Sequence, residues 1–220
     1  MGTITRNAAN NFTTGGVILP AAINDASVAS ISELENAAAG GAMTLISEQT
    51  ASASASISFT TGIDSTYPIY KFEFINIHPA TDGADFTFQV DTGTNTNYNQ
   101  TMTTTSFRAY HTEADDEAVL EYDPGRDLAQ STSFKILTFE CGNDSDENTV
   151  GTLQLYNPSS STFVKHFIST IQSVKNTSMS VNKFNAGYIN TTTPITRIQF
   201  KFSSGNIDDG TIKLYGISGS

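Results

Sequence analysis

Cysteine, tryptophan and long apolar runs are scarce or absent in this chain. Of its 220 residues, one is cysteine (Cys141) and none is tryptophan. A single cysteine cannot form an intrachain disulfide, so a disulfide-stapled scaffold is excluded. No apolar run approaches the roughly 20 residues that span a bilayer, and the first residues lack the charged and apolar parts of a secretion signal. We therefore expect that the protein does not insert into a membrane. If it acts outside a cell, we expect it to be synthesised in a cytoplasm and released in a particle.

Basic residues are also few. Lys and Arg total 11 against 22 Asp and Glu, which gives a formal net charge of −11, and only 15% of the residues are charged. The basic residues are scattered along the chain and form no patch that would displace counterions from phosphates. We therefore expect no nucleic-acid partner.

The abundant residues favour short β-strands. The chain contains 14 Phe and 8 Tyr, whose side chains favour strands and supply a core. Ile198, Phe200 and Phe202 alternate with polar side chains at 197–201, and residues 203–210 are rich in turn formers. Residues 211–217 then resume a strand, with Ile212 and Leu214 two apart. We interpret 195–217 as a terminal β-hairpin whose apolar face needs other strands to cover it.

Similar patterns from Met43 onward predict about nine or ten strands. Turn-forming residues separate them at the spacing typical of a sandwich, and no internal repeat indicates a propeller or a β-helix. We therefore predict an all-β protein, with an antiparallel β-sandwich head over residues 45–220 and surface loops at 112–130 and 142–148. The other predicted strands are 51–59, 67–77, 86–90, 101–110, 134–141, 152–156, 163–174 and 179–188.

Residues 1–44 differ in composition, since they are rich in Ala, Asn and Gly and contain one aromatic residue, Phe12. A short helix is predicted at about 27–39, where apolar residues share one face and a glycine pair follows. The segment has too few large apolar residues to fold alone. We interpret it either as a disordered tail or linker, or as an extended arm that anchors on a partner subunit. The candidate anchoring residues are Val17, Ile18, Leu19, Ile23, Ile31 and Leu34.

No catalytic motif is present in the sequence. The chain lacks Gly-x-Ser-x-Gly, and His78, His111 and His166 are far apart with no metal-type spacing. Cys141 ends an apolar strand and is expected to be a buried, unreactive thiol. We assign no catalytic residue and predict that the protein is not an enzyme.

Acidic clusters offer a further kind of site. The alternating acids at 142–147 present hard oxygens to Ca²⁺, although the stretch lacks the glycine and the closing glutamate of an EF-hand. Its candidate ligands are Asp144, Asp146 and Glu147, and no other cofactor is predicted. A solvated acidic loop is the favoured interpretation. Paired carboxylates would also suit a glycosidase, but the sequence places no two of them at the required separation.

Five stretches of the chain are distinctive: MTLISEQTASASASI at 43–57, INIHPATDG at 75–83, FRAYHTE at 107–113, YNPSS at 156–160 and SGNIDDGTIKLYG at 204–216. Through them, most of the chain, from about residue 43 to 218, resembles small β-rich structural proteins of tailed bacteriophages, particularly marine ones. The resemblance implies a non-enzymatic virion component with a jelly-roll-like sandwich, assembled as a homotrimer, and it brings no catalytic residues. Residues 1–42 are not covered by it.

The first functional hypothesis is therefore a virion appendage, either a fibre or a capsid decoration subunit. Its N-terminal arm would bind other capsid or tail proteins, and head and tail locations stay open. The alternatives are a Ca²⁺-dependent carbohydrate-binding head that recognises a host receptor, and a polysaccharide depolymerase. In these hypotheses the exposed loops face a host surface glycan. The candidate host-contact residues are Asn95, Asn97, Tyr98, Glu113, Asp115, Asp116, Asp144 and Asp146.

Overall fold

The structure of the protein is a computed structural model that describes residues 43–218. These residues form twelve β-strands and no helix. The predicted helix at 27–39 and the six candidate anchoring residues lie outside the described residues. The strands are β1 (Met43–Thr50), β2 (Ile57–Phe59), β3 (Ile69–Pro79), β4 (Ala84–Thr92), β5 (Met102–Thr112), β6 (Ala118–Tyr122), β7 (Lys135–Cys141), β8 (Thr149–Tyr156), β9 (Lys165–Lys175), β10 (Met179–Ile189), β11 (Ile195–Phe202) and β12 (Ile207–Ile217).

All strand pairs are antiparallel, and together they make one nearly closed sheet. Its larger part has the order β6-β5-β10-β9-β8-β3-β12-β1, and its smaller part has the order β7-β4-β11-β2. The two parts are joined at the pair Cys141 and Lys175, between β7 and β9. A bridge between Ser54 and Ile207 brings the segment before β2 to β12, so the sheet approaches closure. The predicted all-β, antiparallel class is confirmed.

Phenylalanines from both parts fill the interior. Phe200 of β11 is fully buried, and its ring centroid lies 5.3 Å from Phe72, 5.1 Å from Phe74 and 6.1 Å from Phe86. The pair with Phe74 is edge-to-face, the pair with Phe72 is tilted and the pair with Phe86 is stacked. Edge-to-face and offset-stacked arrangements are those that aromatic rings prefer. The alternation that predicts strands at 195–202 and 211–217 places Phe200 and its neighbours inside.

The terminal hairpin prediction is wrong in its pairing. β11 bonds to β4 and β2, whereas β12 bonds to β3 and β1. The short connection at 203–206 therefore crosses from the smaller part of the sheet to the larger one. Both strands direct their apolar residues into the same core. Because they belong to different parts of the sheet, they cover this core from two sides, whereas a flat hairpin would cover it from one side only.

Three strand predictions also need correction. Residues 51–59 form a strand only at Ile57–Phe59, and Ala53 has a positive φ of 49°. Small Ala and Ser side chains bury little apolar area, so their alternation does not hold this segment to the sheet. β1, which begins at Met43 within the segment assigned to the arm, was not predicted. β6 lies inside the loop predicted at 112–130, because its exposed pairing with β5 leaves only a weak pattern.

Candidate interaction surface

The outer side of five neighbouring strands carries no Asp, Glu, Lys or Arg. Over the first half of β5 and along most of β8, β9 and β10, buried residues alternate with exposed or half-buried ones. The strand register extends the outer side to the rest of β5 and to β6. We call this surface the neutral face. It consists of Ala118, Leu120 and Tyr122 of β6; Thr103, Thr105, Phe107, Ala109 and His111 of β5; Ser180, Asn182, Phe184, Ala186 and Tyr188 of β10; His166, Ile168, Thr170, Gln172 and Val174 of β9; and Val150, Thr152, Gln154 and Tyr156 of β8.

Large apolar side chains are exposed on the neutral face. Phe107 pairs in register with Tyr122 on one side and with Phe184 on the other. The Phe107 and Phe184 rings stack with centroids 4.8 Å apart and an interplanar angle of 10°. Phe107 is 44% exposed, and Leu120 on the edge strand is 73% exposed. Contiguous exposed apolar surface of this kind marks interaction sites.

A shallow depression of about 630 Å³ lies at one end of the neutral face. Its walls include Tyr156, His166 and Tyr188, and the His166 and Tyr188 ring centroids are 6.3 Å apart. The amide of Gln130 donates hydrogen bonds to Thr103 Oγ1 at 2.7 Å and to Tyr188 Oη at 3.1 Å. The bond to Tyr188 Oη fixes the orientation of the Tyr188 ring.

The rest of the same sheet does carry charges, and two pairs of them form ion pairs. Lys71 lies 2.6 Å from Glu73 on β3, and Lys213 of β12 lies 3.1 Å from Glu48 of β1. The lack of charge is therefore a property of five strands and not of the whole sheet.

A buried charge cluster lies behind the neutral face, around the ring of Phe139. Arg126, Arg108 and Lys183 approach the ring centroid at 3.7, 4.7 and 4.7 Å. Lys183 Nζ also donates to Asp123 Oδ2 at 2.8 Å. Burial opposes ionisation of Asp123, but the hydrogen bond and charge of Lys183, with Arg126, keep its pKa below the ordinary value. The cluster ties the segment after β6 to β10.

Lys135 is a second fully buried lysine in this region. Its Nζ donates to the carbonyl oxygen of Arg126 at 2.5 Å. Burial, aided by the nearby Lys183 charge, lowers the pKa of Lys135 from 10.5 to about 7. A neutral amine of this kind can act as a base or nucleophile, but no outside molecule reaches an atom with 0% exposure. We therefore interpret the cluster as structural.

The structure places most candidate host-contact residues on the surface. Asn95 and Asn97 are exposed, and Glu113, Asp115 and Asp116 lie together in the turn from β5 to β6. The side-chain hydrogen bonds of Asp115 and Asp116 are local; Asp115, for example, lies 3.1 Å from His111 Nε2.

Tyr98 differs from its loop neighbours. It is 6% exposed, and its backbone N–H donates to Asp91 Oδ2 at 2.8 Å. In this conformation its ring therefore packs inward and is not presented to a partner.

The candidate calcium ligands do not converge. Asp144 and Asp146 are exposed, whereas Glu147 is 8% exposed and its Oε2 accepts a 3.0 Å hydrogen bond from the Asp144 backbone N–H. The Glu147 carboxylate thus closes its own loop. Among residues 43–218, no group of three or more His, Cys, Asp or Glu side chains is arranged to hold a metal ion.

The three histidines lie at separate places. His78 Nδ1 is 3.6 Å from Asp208 Oδ2, His111 contacts Asp115, and His166 is exposed on the neutral face. Their surroundings share no residue that would join them in one catalytic arrangement.

Sequence reasoning missed the neutral face because its residues come from strands that are not consecutive in the chain. The sequence does contain a signal of this surface, namely the scarcity of charge within each single strand. The polar positions of the strands at 101–110, 152–156, 163–174 and 179–188 are mainly Thr, Ser, Asn and Gln, with few charged residues among them. Only the register shows that the uncharged positions form one surface.

Comparisons of the chain with family models, with curated proteins and with solved structures find no match. Within residues 43–218 there is no helix long and apolar enough to cross a membrane.

Proposed function

We propose that this protein is a non-enzymatic structural subunit of a tailed-bacteriophage virion. Its strands form a jelly-roll-like head, and its N-terminal arm anchors the head to capsid or tail proteins. The subunit is made in the host cytoplasm and assembles as a homotrimer in the virion. The phage-like stretches at 43–57, 75–83 and 204–216 support the virion assignment, and the nearly closed antiparallel sheet is compatible with a jelly roll.

The observation that carries this proposal is the neutral face. The centre of a protein interface is depleted of charge and enriched in aromatic residues, and the neutral face has both properties. The chain as a whole is strongly acidic, with a net charge of −11, so two copies repel each other electrostatically. This repulsion is weakest when the copies meet at a broad surface without carboxylates. A subunit of a large particle needs such a surface.

The proposal is tested on particles of the phage that encodes the chain. Particles purified on a density gradient should contain the chain at a fixed copy number that is a multiple of three, measured by quantitative mass spectrometry. Immunogold labelling should then place it on the head or the tail. A chain that is present in the lysate but absent from purified particles would contradict the proposal.

A carbohydrate-binding head is the second candidate function, and the depression beside Tyr156, His166 and Tyr188 favours it. Aromatic rings with uncharged hydrogen-bonding neighbours suit a neutral sugar, whose apolar side stacks on a ring. Calorimetry with host polysaccharide, with and without a chelator, separates this function from passive assembly. Chelator-sensitive binding would instead favour the calcium-dependent form.

A further inference from the structure

We propose that the neutral face is the homomeric contact, where it packs against the neutral face of another copy of this chain around a symmetry axis. The inference rests on the proposed function, because it names which surface of the subunit makes the assembly. In a trimer, three neutral faces would turn toward the three-fold axis, and each would contact both neighbours.

The size of the neutral face fits such a contact. Five strands about 4.8 Å apart, with strand lengths of about 30 Å, cover roughly 700 Å². A stable interface of ordinary size buries about 800 Å² on each partner. The area of the neutral face is therefore close to that of an ordinary contact and would supply most of it.

Charge favours a second copy as the occupant. A strongly basic or acidic partner would find no opposite charge on the five strands, since their outer side has no Asp, Glu, Lys or Arg. Every other copy of the chain presents the same uncharged surface, whereas its net charge of −11 repels contacts made elsewhere. Face-to-face packing keeps the carboxylates of the two copies apart.

The side chains on the neutral face supply both anchors and hydrogen bonds. The stacked Phe107 and Phe184 rings and the 52% exposed Ile168 offer apolar area at its centre. The depression at Tyr188 can receive a side chain from the neighbouring copy. Aromatic anchors that enter pockets carry most of the binding energy in interfaces, and Thr, Asn and Gln around them can pair across the contact.

The test compares two substitutions at equally exposed apolar residues of the same sheet. Ile168→Glu changes the neutral face. Leu45→Glu changes β1, which lies outside the neutral face and carries Glu48 of the Lys213 ion pair. Ile168 and Leu45 are 52% and 50% exposed. The mass of the full chain is measured by light scattering after chromatography and by native mass spectrometry over a concentration series. Circular dichroism and thermal melting confirm that each variant is folded. Phe107→Glu provides a second variant on the neutral face.

We expect the unchanged chain and Leu45→Glu to assemble. Ile168→Glu and Phe107→Glu should be monomeric at the same concentrations, because the dissociation constant of their assembly should rise at least 100-fold. Assembly of all four proteins, or equal disruption by Leu45→Glu, would overturn the assignment of the neutral face. If the unchanged chain is monomeric, the assignment of the neutral face as the homomeric contact is also overturned. This holds even if the monomer binds polysaccharide and Ile168→Glu abolishes that binding, since the neutral face would then be a sugar-binding surface. The virion proposal fails separately, by absence of the chain from purified particles.

Discussion

Among residues 43–218, Lys135 and Lys183 are two of the three lysines with 0% exposure, Lys165 being the third, although a buried ammonium group loses its hydration. Lys183 keeps a carboxylate partner in Asp123, whereas Lys135 donates only to a backbone carbonyl oxygen. The aromatic ring of Phe139 faces Lys183 and both arginines and offsets part of the lost hydration. At the scale of single residues, stability therefore depends on how these amines are protonated.

The pH dependence of stability should reveal Lys135. Its pKa is about 7 in the folded chain against an ordinary value of 10.5, so the folded state binds fewer protons between these values. Stability should then rise as pH increases through this window, and from pH 6.5 to 8.5 this residue contributes a rise of about 2 kcal/mol. Lys183, whose pKa is lowered to about 8 by burial, acts in the same direction. Denaturant unfolding at several pH values measures the slope.

Lys135→Met serves as the matched variant for that measurement. It keeps the length and apolar stem of the side chain but cannot be protonated, so it should flatten the rise by about 2 kcal/mol. An unchanged slope in Lys135→Met would show that other groups cause the pH dependence.

Loss of the Asp123 carboxylate should be costly. Asp123→Asn leaves Lys183 buried without its anionic partner and beside two arginines, and we expect a loss of about 3–5 kcal/mol in the free energy of unfolding. Glu48→Gln removes one partner of the exposed Lys213 pair and should change the free energy of unfolding little, because solvent screens exposed ion pairs. Equal effects of the two substitutions, measured by urea unfolding, would refute the structural role of the cluster.

At the scale of elements, irregular pairing between β12 and β3 decides how the sheet bends. The register shifts twice along β12, between Ile207 and Asp209 and again between Asp209 and Thr211. Gly210 lies in the second shift with a φ of 117°, and Asp209 Oδ1 accepts a 2.6 Å hydrogen bond from its N–H. Bulges of this kind increase local twist, which helps a large sheet to curl toward closure.

Gly210→Ala should destabilise the protein strongly. A Cβ at this position would lie 2.6 Å from the Asn76 carbonyl oxygen and 2.8 Å from Ile77 Cα, both fixed backbone atoms, and the positive φ adds strain. We expect a loss of at least about 2 kcal/mol. Gly125→Ala, where a Cβ meets no atom within 4 Å, is the control and should change the melting temperature little. A Gly210→Ala variant as stable as the control would mean that the bulge rearranges freely.

At the scale of the whole molecule, the two parts of the sheet meet at a narrow seam. β7 and β9 share one registered pair, Cys141 with Lys175, and an ion pair of 2.6 Å between Lys175 and Glu140 adjoins it. Burial raises the pKa of Cys141 to about 11, so the thiolate that reacts with disulfide reagents is rare in the folded state. As the chain's single cysteine, Cys141 reports on opening of this seam.

Cys141 should therefore react only when the molecule opens. If the seam opens only with global unfolding, labelling by a disulfide reagent should be at least about 1,000-fold slower than in denaturant, given the usual stability of a domain. The rate is followed by absorbance and compared with the unfolding rate of the same sample. Fast, complete labelling of a sample whose circular dichroism stays native would show instead that the seam opens on its own.

The sequence supported the prediction of most strands, and it failed where the pattern was short or its residues small. The apolar residues Ile198, Phe200 and Phe202 alternate with polar ones, and they lie in a strand as predicted. A period of two places all three on the buried side of the strand, whichever strands pair with it. Alternating Ala and Ser at 51–56 do not lie in a strand, since they bury too little to hold one. Glu147 was a candidate ligand by composition, yet its carboxylate bonds to its own loop, which spacing along the chain does not reveal.

The sequence by itself determined that this protein is an antiparallel β-structure with a phenylalanine core, because alternation and aromatic content are local properties of the chain. Only the tertiary structure decided that β11 and β12 belong to different parts of the sheet, and that Lys183 meets Asp123 beside Phe139. It alone assembled the neutral face from five strands. The physical reason is that backbone hydrogen bonds can join any two strand edges, so pairing is decided by how distant segments close one common core.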